Sequence, residues 1–409
     1  MMRFGALALG VGVVFLAGVA AAEQATITYE ISGTPGRAEV MKQWSVDFMK
    51  LHPDIKVVPV VQQDVEHNLV ALTAGSGPDL IISDWNAMVS YSGNGFALPL
   101  DDYLKADDFD LGQFYQAVLD GYRADGHLYE LPIKVDTHVM VYNRDAFSAA
   151  AVPFPTEWSW DQLRSNAKKL TQDKNGDGKI DQYGYGTYAW YFDGYIGPIW
   201  QNGGKLYQRE GGKVKSHWSD PNVEEAVQFL YDLMYKDNVM MSPNEGKGDG
   251  IFTTGKVASY FVGEWHLAQI QQAAGILDWD IAQIPYNKEH AVELGGIGYL
   301  VNKSTKYPKA AVQFLEYVAG SDQAQKSVVD TALGLSALKR MPALQFPGKH
   351  TDAMLQSMNY VRRVDMFPEW SKINDSVEEP NIALIWANKA AVKPTLEKIT
   401  QASNAILGW

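Results

Sequence analysis

Three polar side chains alternate within an otherwise apolar stretch, residues 131–143 (LPIKVDTHVMVYN). Pro132 and the many β-branched residues favour an extended strand over a helix. Since alternate residues of a strand face the same side, Lys134, Asp136 and His138 would point together out of this strand. The pattern predicts either a strand that crosses between two lobes and offers a lysine and a carboxylate to a ligand, or an edge strand with one solvated face.

A second candidate position follows the third strand of the chain. Residues 25–86 have a β-α-β-α-β pattern, which predicts a mostly parallel sheet with the pair Trp85 and Asn86 directly after its third strand. Ligands of such sheets bind beyond the carboxyl ends of the strands. Trp85 is therefore either part of a binding site or a cover over the core.

Aromatic residues are concentrated around one carboxylate, Asp193. The chain contains 12 Trp and 21 Tyr, and eight aromatic side chains fall between positions 183 and 200. They are Tyr183, Tyr185, Tyr188, Trp190, Tyr191, Phe192, Tyr195 and Trp200. This density exceeds what a core strand needs, and such rings can stack on the apolar faces of sugars.

Glycines at positions 295, 296 and 298 form a further cluster. A glycine cluster alone is weak evidence for nucleotide binding. We expect Gly296 and its neighbours to let the backbone approach a ligand or another strand closely.

Residues 173–181 (DKNGDGKID) resemble the first half of a calcium-binding loop. Asp173, Asn175, Asp177 and Asp181 occupy ligand positions of such a loop, and Gly178 provides its turn. The twelfth position, where a bidentate glutamate normally stands, is Gly184. The segment is therefore either a calcium site that lacks two oxygen ligands or a polar hairpin. No other cofactor is expected.

Length and the N-terminal sequence indicate an exported protein with two lobes. The 409-residue chain is longer than one core usually grows. Residues 1–22 have the pattern of a secretory signal, with Arg3, an apolar run at 5–17 and cleavage expected after Ala22. No later run of about 18 apolar residues predicts a membrane span.

Composition narrows the location and the partners. The sequence contains no cysteine, so we expect neither disulfides nor a lipid-anchoring cysteine, and infer a soluble periplasmic protein. The net charge of −13 argues against nucleic acid or an anionic membrane as partner.

Taken together, several motifs resemble the extracellular solute-binding proteins of carbohydrate ABC importers, the family that includes maltose-binding protein. The motifs are GPDLIISDW, LPIKVDTHVMVYN, FTTGKVASYFVGEW, GGIGYLV, LGLSALK and PEW, in that order along the chain. Each is modest alone, but their order and spacing behind a signal sequence are specific.

This resemblance implies an α/β fold: a hinged, two-lobed periplasmic binding protein with mostly parallel sheets flanked by helices. The lobes would be discontinuous and joined by crossovers near residues 133–137, 283–286 and 319–322. The N-terminal lobe would comprise residues 23–134 and 285–320. Residues 135–284 and 321–409 would form the C-terminal lobe.

The resemblance also implies roles for individual residues. Asp136 falls where the family places a carboxylate that accepts hydrogen bonds from sugar hydroxyls, and Trp265, after Glu264, where an indole stacks on a pyranose. The pair Trp85 and Asn86 and the segment of Trp190, Tyr191 and Asp193 fall at the other cleft loops. Lys134 and Arg362 are further candidate donors.

We therefore expect a monomer that binds a carbohydrate between its lobes and delivers it to an inner-membrane ABC permease without chemical catalysis. A non-sugar solute, such as a polyamine or a glycerol phosphate, is an alternative ligand. A secreted glycoside hydrolase is the alternative from another class, because Asp136, Asp193 and Glu264 beside tryptophans also suit sugar cleavage.

Overall fold

A computed structural model describes residues 24–31, 35–187, 192–246, 248–273, 275, 277–364 and 367–409. The predicted signal segment, residues 1–22, lies outside this part of the chain, as do Trp190 and Tyr191. The side chains of Trp85, Asn86 and Asp193 also lie outside it.

Strands of the described part are, in chain order, β1 (Ala25–Ile31), β2 (Ile55–Val61), β3 (Leu80–Asp84), β4 (Arg123–Ala124), β5 (His127–Leu128), β6 (Glu130–Asp136), β7 (His138–Asn143), β8 (Tyr183–Thr187), β9 (Tyr207–Glu210), β10 (Lys213–Ser216), β11 (Val257–Gly263), β12 (Trp279–Ala282), β13 (Val292–Glu293), β14 (Gly295–Val301) and β15 (Val361–Arg362).

Helices of the same part are α1 (Pro35–Leu51), α2 (Val65–Thr73), α3 (Trp85–Gly93), α4 (Asp101–Ala106), α5 (Gln116–Gly121), α6 (Arg144–Ala149), α7 (Trp160–Leu170), α8 (Phe192–Gln201), α9 (Pro221–Tyr235), α10 (Gly250–Thr253), α11 (Leu267–Ala273), α12 (Pro308–Gly320), α13 (Asp322–Asp330), α14 (Asp352–Ser357), α15 (Trp370–Ile373), α16 (Glu379–Trp386) and α17 (Val392–Ile406). Short 3₁₀ turns occupy Leu111–Gln113 and Glu264–His266, and Asn374–Glu378 is a π-helical turn.

The first lobe is built on a five-stranded sheet of order β2-β1-β3-β14-β6. β1 runs parallel to β2 and β3, whereas β14 is antiparallel to both β3 and β6. This topology confirms the α/β prediction, because the first three strands are joined by helices that cross over the sheet.

The second lobe contains a four-stranded sheet of order β12-β7-β11-β8. β7 is antiparallel to both β12 and β11, and only β11 and β8 pair in parallel. β11 is buried along its whole length, as expected for a central strand with a continuous apolar sequence.

Both sheets are therefore mixed, and the prediction of mostly parallel sheets was wrong in this detail. The antiparallel pairings involve β6, β7, β12 and β14. β7 follows β6 with only Thr137 between them, so the chain enters the second sheet without a crossover helix to reverse its direction.

The predicted lobe boundaries at residues 285 and 320 also differ from the packing. Tyr286 bridges to Ser159, and β13 pairs with β15, so residues 285–294 pack with the second lobe. Helix α13 contacts β6 and α1 of the first lobe, and Leu335 pairs with Val135 of β6. Residues 322–338 therefore pack with the first lobe, because Leu335 continues the hydrogen bonding at the free edge of β6.

Local sequence signals account for several helices that carry this scaffold. Helix α7 begins with a capping box in which the Ser159 hydroxyl accepts from the Gln162 N–H and the Gln162 side chain accepts from the Ser159 N–H. Helix α9 begins with Pro221 in its first turn, where a missing N–H costs no helical hydrogen bond.

Candidate functional site

The crossover between the two sheets is centred on Thr137, the single residue between β6 and β7. The Thr137 N–H donates to Glu264 Oε2 at 2.8 Å, and the Glu264 N–H donates back to the Thr137 carbonyl at 3.0 Å. The Thr137 hydroxyl lies 3.2 Å from the hydroxyl of Ser357. These bonds tie the crossover to the turn that follows β11.

Lys134 and Asp136 form an ion pair on one face of β6. Their side chains are only 4% and 13% exposed. Burial of a charged group is costly unless it is paired, so the Lys134 ammonium and the Asp136 carboxylate compensate each other. The sequence prediction that both point to the same side is confirmed, with the two groups bound to each other.

His138 does not share that face, so this part of the prediction was wrong. The extended run breaks at Thr137, whose backbone binds Glu264, and His138 begins β7 in the other sheet. His138 is buried, and its ring stacks on Phe261 with centroids 5.0 Å apart.

Glycines lie against the ion pair. Gly334 lies over Lys134, where a Cβ atom would come within 2.7 Å of Lys134 Cδ. Gly295 lies beside Asp136, and a Cβ atom on Gly296 would come within 2.7 Å of the Lys134 carbonyl oxygen. Gly296 also has a φ of +137°, which disfavours other residues. Of the two predicted roles for Gly296, close approach to another strand is the one observed.

Glu264 is 1% exposed, so the structure places its carboxyl behind the surface of the site. Oε2 accepts the Thr137 N–H, while Oε1 is buried without a hydrogen-bond partner among the described residues. Burial raises the pKa of the Glu264 carboxyl well above its ordinary value. The neighbouring Asp136 carboxylate raises this pKa further, against the opposing effect of Lys134.

Trp265 follows Glu264 in a 3₁₀ turn and is half-buried. Its indole folds over Gly263, where a Cβ atom would come within 2.3 Å of the ring. Glycine at 263 therefore leaves room for the indole, which packs against His138 of the crossover. The structure brings Trp265 to the same crossover as Lys134 and Asp136.

The backbone at Trp85 lies at the same edge of the first sheet as the ion pair. Asp84 pairs with Ile297 of β14, and Ile297 pairs with Lys134 of β6. Helix α3 begins at Trp85, and Asp84 Oδ1 accepts the Ala87 N–H at 2.8 Å to cap it. The predicted contacts of the Trp85 and Asn86 side chains stay predictions.

The aromatic segment before α8 starts at the end of β8. Thr187, the last residue of β8, pairs with Phe261 of β11, two residues before Gly263. The chain therefore leaves β8 close to the strand that leads to Trp265. The roles of Trp190, Tyr191 and Asp193 stay predictions.

Arg362 is engaged away from the ion pair. Its Nη1 donates to Glu289 Oε1 at 3.2 Å, within the segment that packs on the second lobe. The role of Arg362 as a ligand donor is not tested by this contact and stays a prediction.

The neighbouring Arg363 was not predicted, although its guanidinium nitrogens are all buried. Its guanidinium carbon lies 4.7 Å from the centroid of the Tyr122 ring, over Gly121. Burial raises the pKa of Glu130, and the charge of Arg363 opposes that rise. The consecutive arginines at the end of a short strand are the sequence signal that could have indicated this buried guanidinium.

The predicted calcium loop is held by its own backbone. Asp173 accepts the N–H groups of Gly176 and Gly178 at 2.7 and 2.8 Å, and Asp181 accepts that of Lys174 at 2.7 Å. The hydrogen bond from Gly178 is the main cause of the lowered pKa of Asp173. Among the described residues, no three His, Cys, Asp or Glu side chains are grouped to hold a metal ion. Calcium binding therefore stays a prediction.

A groove of about 280 Å³ lies between α7 and α9, away from the crossover. Several of its charged groups are already paired, with Arg164 bound to Asp237 at 2.8 Å and Glu225 to Lys288 at 3.0 Å. We therefore assign the candidate site to the crossover and not to this groove.

Comparisons with known proteins agree with this fold. A family model described as bacterial extracellular solute-binding protein matches residues 29–325. A binding protein of Brucella abortus is 25% identical over 417 residues, which cover 98% of this chain and 97% of that protein. The arabinooligosaccharide-binding protein of Bacillus subtilis is 26% identical over 316 residues, which cover 74% of this chain and 70% of that protein.

A solved structure is similar over almost the whole chain. The ABC substrate-binding protein of Listeria monocytogenes, in complex with cycloalternan, superposes with a TM-score of 0.81 at 24% identity. The match covers 94% of this chain and 100% of that one. None of the helices in the described part of the chain is long and apolar enough to cross a bilayer.

Proposed function

Because this chain belongs to the bacterial extracellular solute-binding protein family, we propose that it binds a carbohydrate between its lobes and delivers it to an ABC permease. Proteins of this family bind carbohydrates and work with such permeases. Two of the similar proteins are named for, or were solved with, an oligosaccharide, which supports a sugar ligand.

The observation that carries this proposal is the meeting of the Lys134–Asp136 pair with the Trp265 turn at one crossover. A carboxylate and an ammonium supply an acceptor and a donor for hydroxyl groups, and an indole supplies an apolar face. Sugars present both kinds of surface, whereas a purely cationic or purely apolar ligand presents one.

Aromatic contacts and hydrogen bonds of this kind are strong enough to bind a sugar with micromolar affinity. An aromatic contact contributes about 0.5 to 1.5 kcal/mol beyond its buried area, and a charge-assisted hydrogen bond about 1.5 to 3 kcal/mol. Two rings and a few such bonds reach micromolar affinity, about −8 kcal/mol, after the costs of association. A ligand that contacts both lobes favours the closed arrangement, and Thr137 lies where the chain passes between them.

We further propose that this protein acts as a periplasmic monomer, after cleavage following Ala22, and performs no chemical step. A glycosidase needs two carboxyl groups that both reach the scissile bond. Here Asp136 is paired with Lys134, and Glu264 is buried behind it. This arrangement favours binding over hydrolysis.

A thermal-shift screen of the mature chain tests the proposed function. The panel contains mono-, di- and trisaccharides, sugar alcohols, polyamines and glycerol phosphates, with Trp265→Ala as the matched variant. A carbohydrate should raise the unfolding midpoint of the natural chain by mass action and shift the variant less. If only a polyamine or a glycerol phosphate raised the unfolding midpoint, the ligand would belong to that class and not to the carbohydrates. Hydrolysis of a bound glycoside would show that the protein is an enzyme.

A further inference from the structure

We propose that Glu264 is a positioning residue that carries a proton at neutral pH and donates it in a hydrogen bond to Asp136. The inference rests on the proposed function, because Asp136 is assigned there as the ligand acceptor. Glu264 itself would not touch the ligand.

The geometry fixes the Glu264 carboxyl relative to Asp136. The Thr137 N–H donates to Glu264 Oε2 at 2.8 Å, and the Glu264 N–H donates to the Thr137 carbonyl oxygen at 3.0 Å. Asp136 immediately precedes Thr137, so the carboxyl of Glu264 is held next to that residue.

Glu264 keeps its proton because one of its two carboxyl oxygens receives no hydrogen bond from the described residues. Its Oε1 is buried and receives no hydrogen bond from the described residues. An ionised oxygen in that position would be desolvated without compensation, whereas a protonated one can donate. Asp136 lies within hydrogen-bond reach of the Glu264 carboxyl. Its Oδ1 binds the Lys134 ammonium, which leaves Oδ2 as the acceptor.

Charged and titratable groups surround Glu264 on several sides. Lys134 and Asp136 face it from β6, and His138 lies on β7, buried between Phe261 and Trp265. Beyond the turn, His266 Nδ1 lies 2.7 Å from Asp249 Oδ2. Burial and Asp136 both raise the pKa of Glu264, which agrees with a carboxyl that keeps its proton.

The consequence is a binding affinity that depends on pH. When Glu264 loses its proton as the pH rises, two carboxylates face each other beside one lysine, and Asp136 loses its orientation. The affinity for the sugar should then fall. A variant is needed to separate the effect of Glu264 from that of other titratable groups.

The test measures the dissociation constant of a carbohydrate found in the screen, from pH 5 to pH 9, for the natural chain, Glu264→Gln and Glu264→Ala. The amide of Glu264→Gln accepts the Thr137 N–H and donates to Asp136 at every pH. We expect it to bind within about threefold of the natural chain at pH 7, with a flat profile. Glu264→Ala should lose about tenfold or more.

Glu30→Gln is the matched control, since Glu30 is equally buried in the first lobe, with a raised pKa, but binds Gln63, Asn68 and Ile82. Its pH profile should match that of the natural chain. If Glu264→Gln keeps the natural slope, the inference is overturned while the proposed function stands.

A measurement without ligand distinguishes a failure of the inference about Glu264 from a failure of the proposed function. A carbon-13 titration of the side-chain carboxyls, assigned with Glu264→Gln, should show Glu264 protonated at pH 7. An ionised Glu264 would overturn the inference whether or not a sugar binds. A protonated Glu264 with no binder in the screen would count against the proposed ligand class alone.

Discussion

The indole of Trp265 meets the imidazole of His138 edge to face, with ring centroids 5.3 Å apart and an angle of 74° between the planes. His138 begins β7, and Trp265 follows β11, its partner strand. This contact holds the indole against the crossover before a ligand arrives. A platform ordered in advance loses less conformational freedom on binding, which favours affinity.

Trp265→Ala should therefore weaken carbohydrate binding at least tenfold without unfolding the protein, because it removes the stacking face and leaves the half-buried turn intact. Titration calorimetry and a thermal melt measure both effects. Trp409→Ala is the control, since Trp409 is 49% exposed and its indole N–H donates to the Val214 carbonyl oxygen in β10. Equal affinity in the Trp265 variant would remove the residue from the site.

Asp136→Asn should weaken binding at least tenfold, because a neutral amide accepts hydroxyl hydrogen bonds less strongly than a carboxylate. It also leaves the buried Lys134 without its counterion. The same substitution at Asp330, in the exposed pair with Lys326, should change neither affinity nor stability measurably. Unchanged affinity in Asp136→Asn would place the ligand elsewhere.

A buried carboxyl in the second lobe should make stability depend on pH. Burial raises the pKa of Glu378 from 4.5 to about 7, although Trp218 donates to its Oε1 at 2.6 Å. Between these values the unfolded chain ionises Glu378 while the folded chain keeps the proton. The free energy of unfolding should thus fall, by at most about 3 kcal/mol, as the pH rises from 4.5 to 7.

Glu378→Gln tests this directly, because glutamine accepts the same hydrogen bonds and does not ionise. Its urea-unfolding free energy should change less with pH across that window than that of the natural chain. Glu397→Gln, at an exposed position of α17, serves as the control. Parallel curves for the natural chain and Glu378→Gln would show that Glu378 titrates normally.

Gly184→Ala should destabilise the second lobe by about 1 to 3 kcal/mol, because its Cβ would lie 2.2 Å from the Ala167 carbonyl oxygen of α7. Backbone cannot yield as a side-chain end can, so β8 and α7 would have to separate. Gly93→Ala is the matched control, because a Cβ atom at this position would have no neighbouring atom within 4 Å. A thermal melt should show a lower midpoint for the first variant only.

Calcium should raise the unfolding midpoint if residues 173–181 bind the ion, because binding to the folded state stabilises it by mass action. Asp173→Asn should abolish that shift, since Asp173 holds the first ligand position of the loop. Asp330→Asn is again a suitable control. A calcium shift that survives in Asp173→Asn would locate the ion elsewhere, and no shift at all would leave the loop a polar hairpin.

Much of the fold could be predicted from local signals. The caps and apolar spacing of α7 and α9, the pairing of Lys134 with Asp136 on one face and the position of Trp85 after a strand all depend on neighbouring residues. The break in the strand at Thr137 could not be predicted in this way, because the Thr137 N–H donates to Glu264, which is 127 positions away.

The sequence by itself determined the family, the two-lobed α/β class and which residue types lie at the crossover, because strand alternation, helix capping and motif order are encoded over short distances. Only the tertiary structure decided that His138 faces the second sheet, that residues 322–338 pack with the first lobe and that Glu264 is buried beside Asp136. These outcomes depend on contacts between distant segments, which compete for the same backbone groups and for the same interior space.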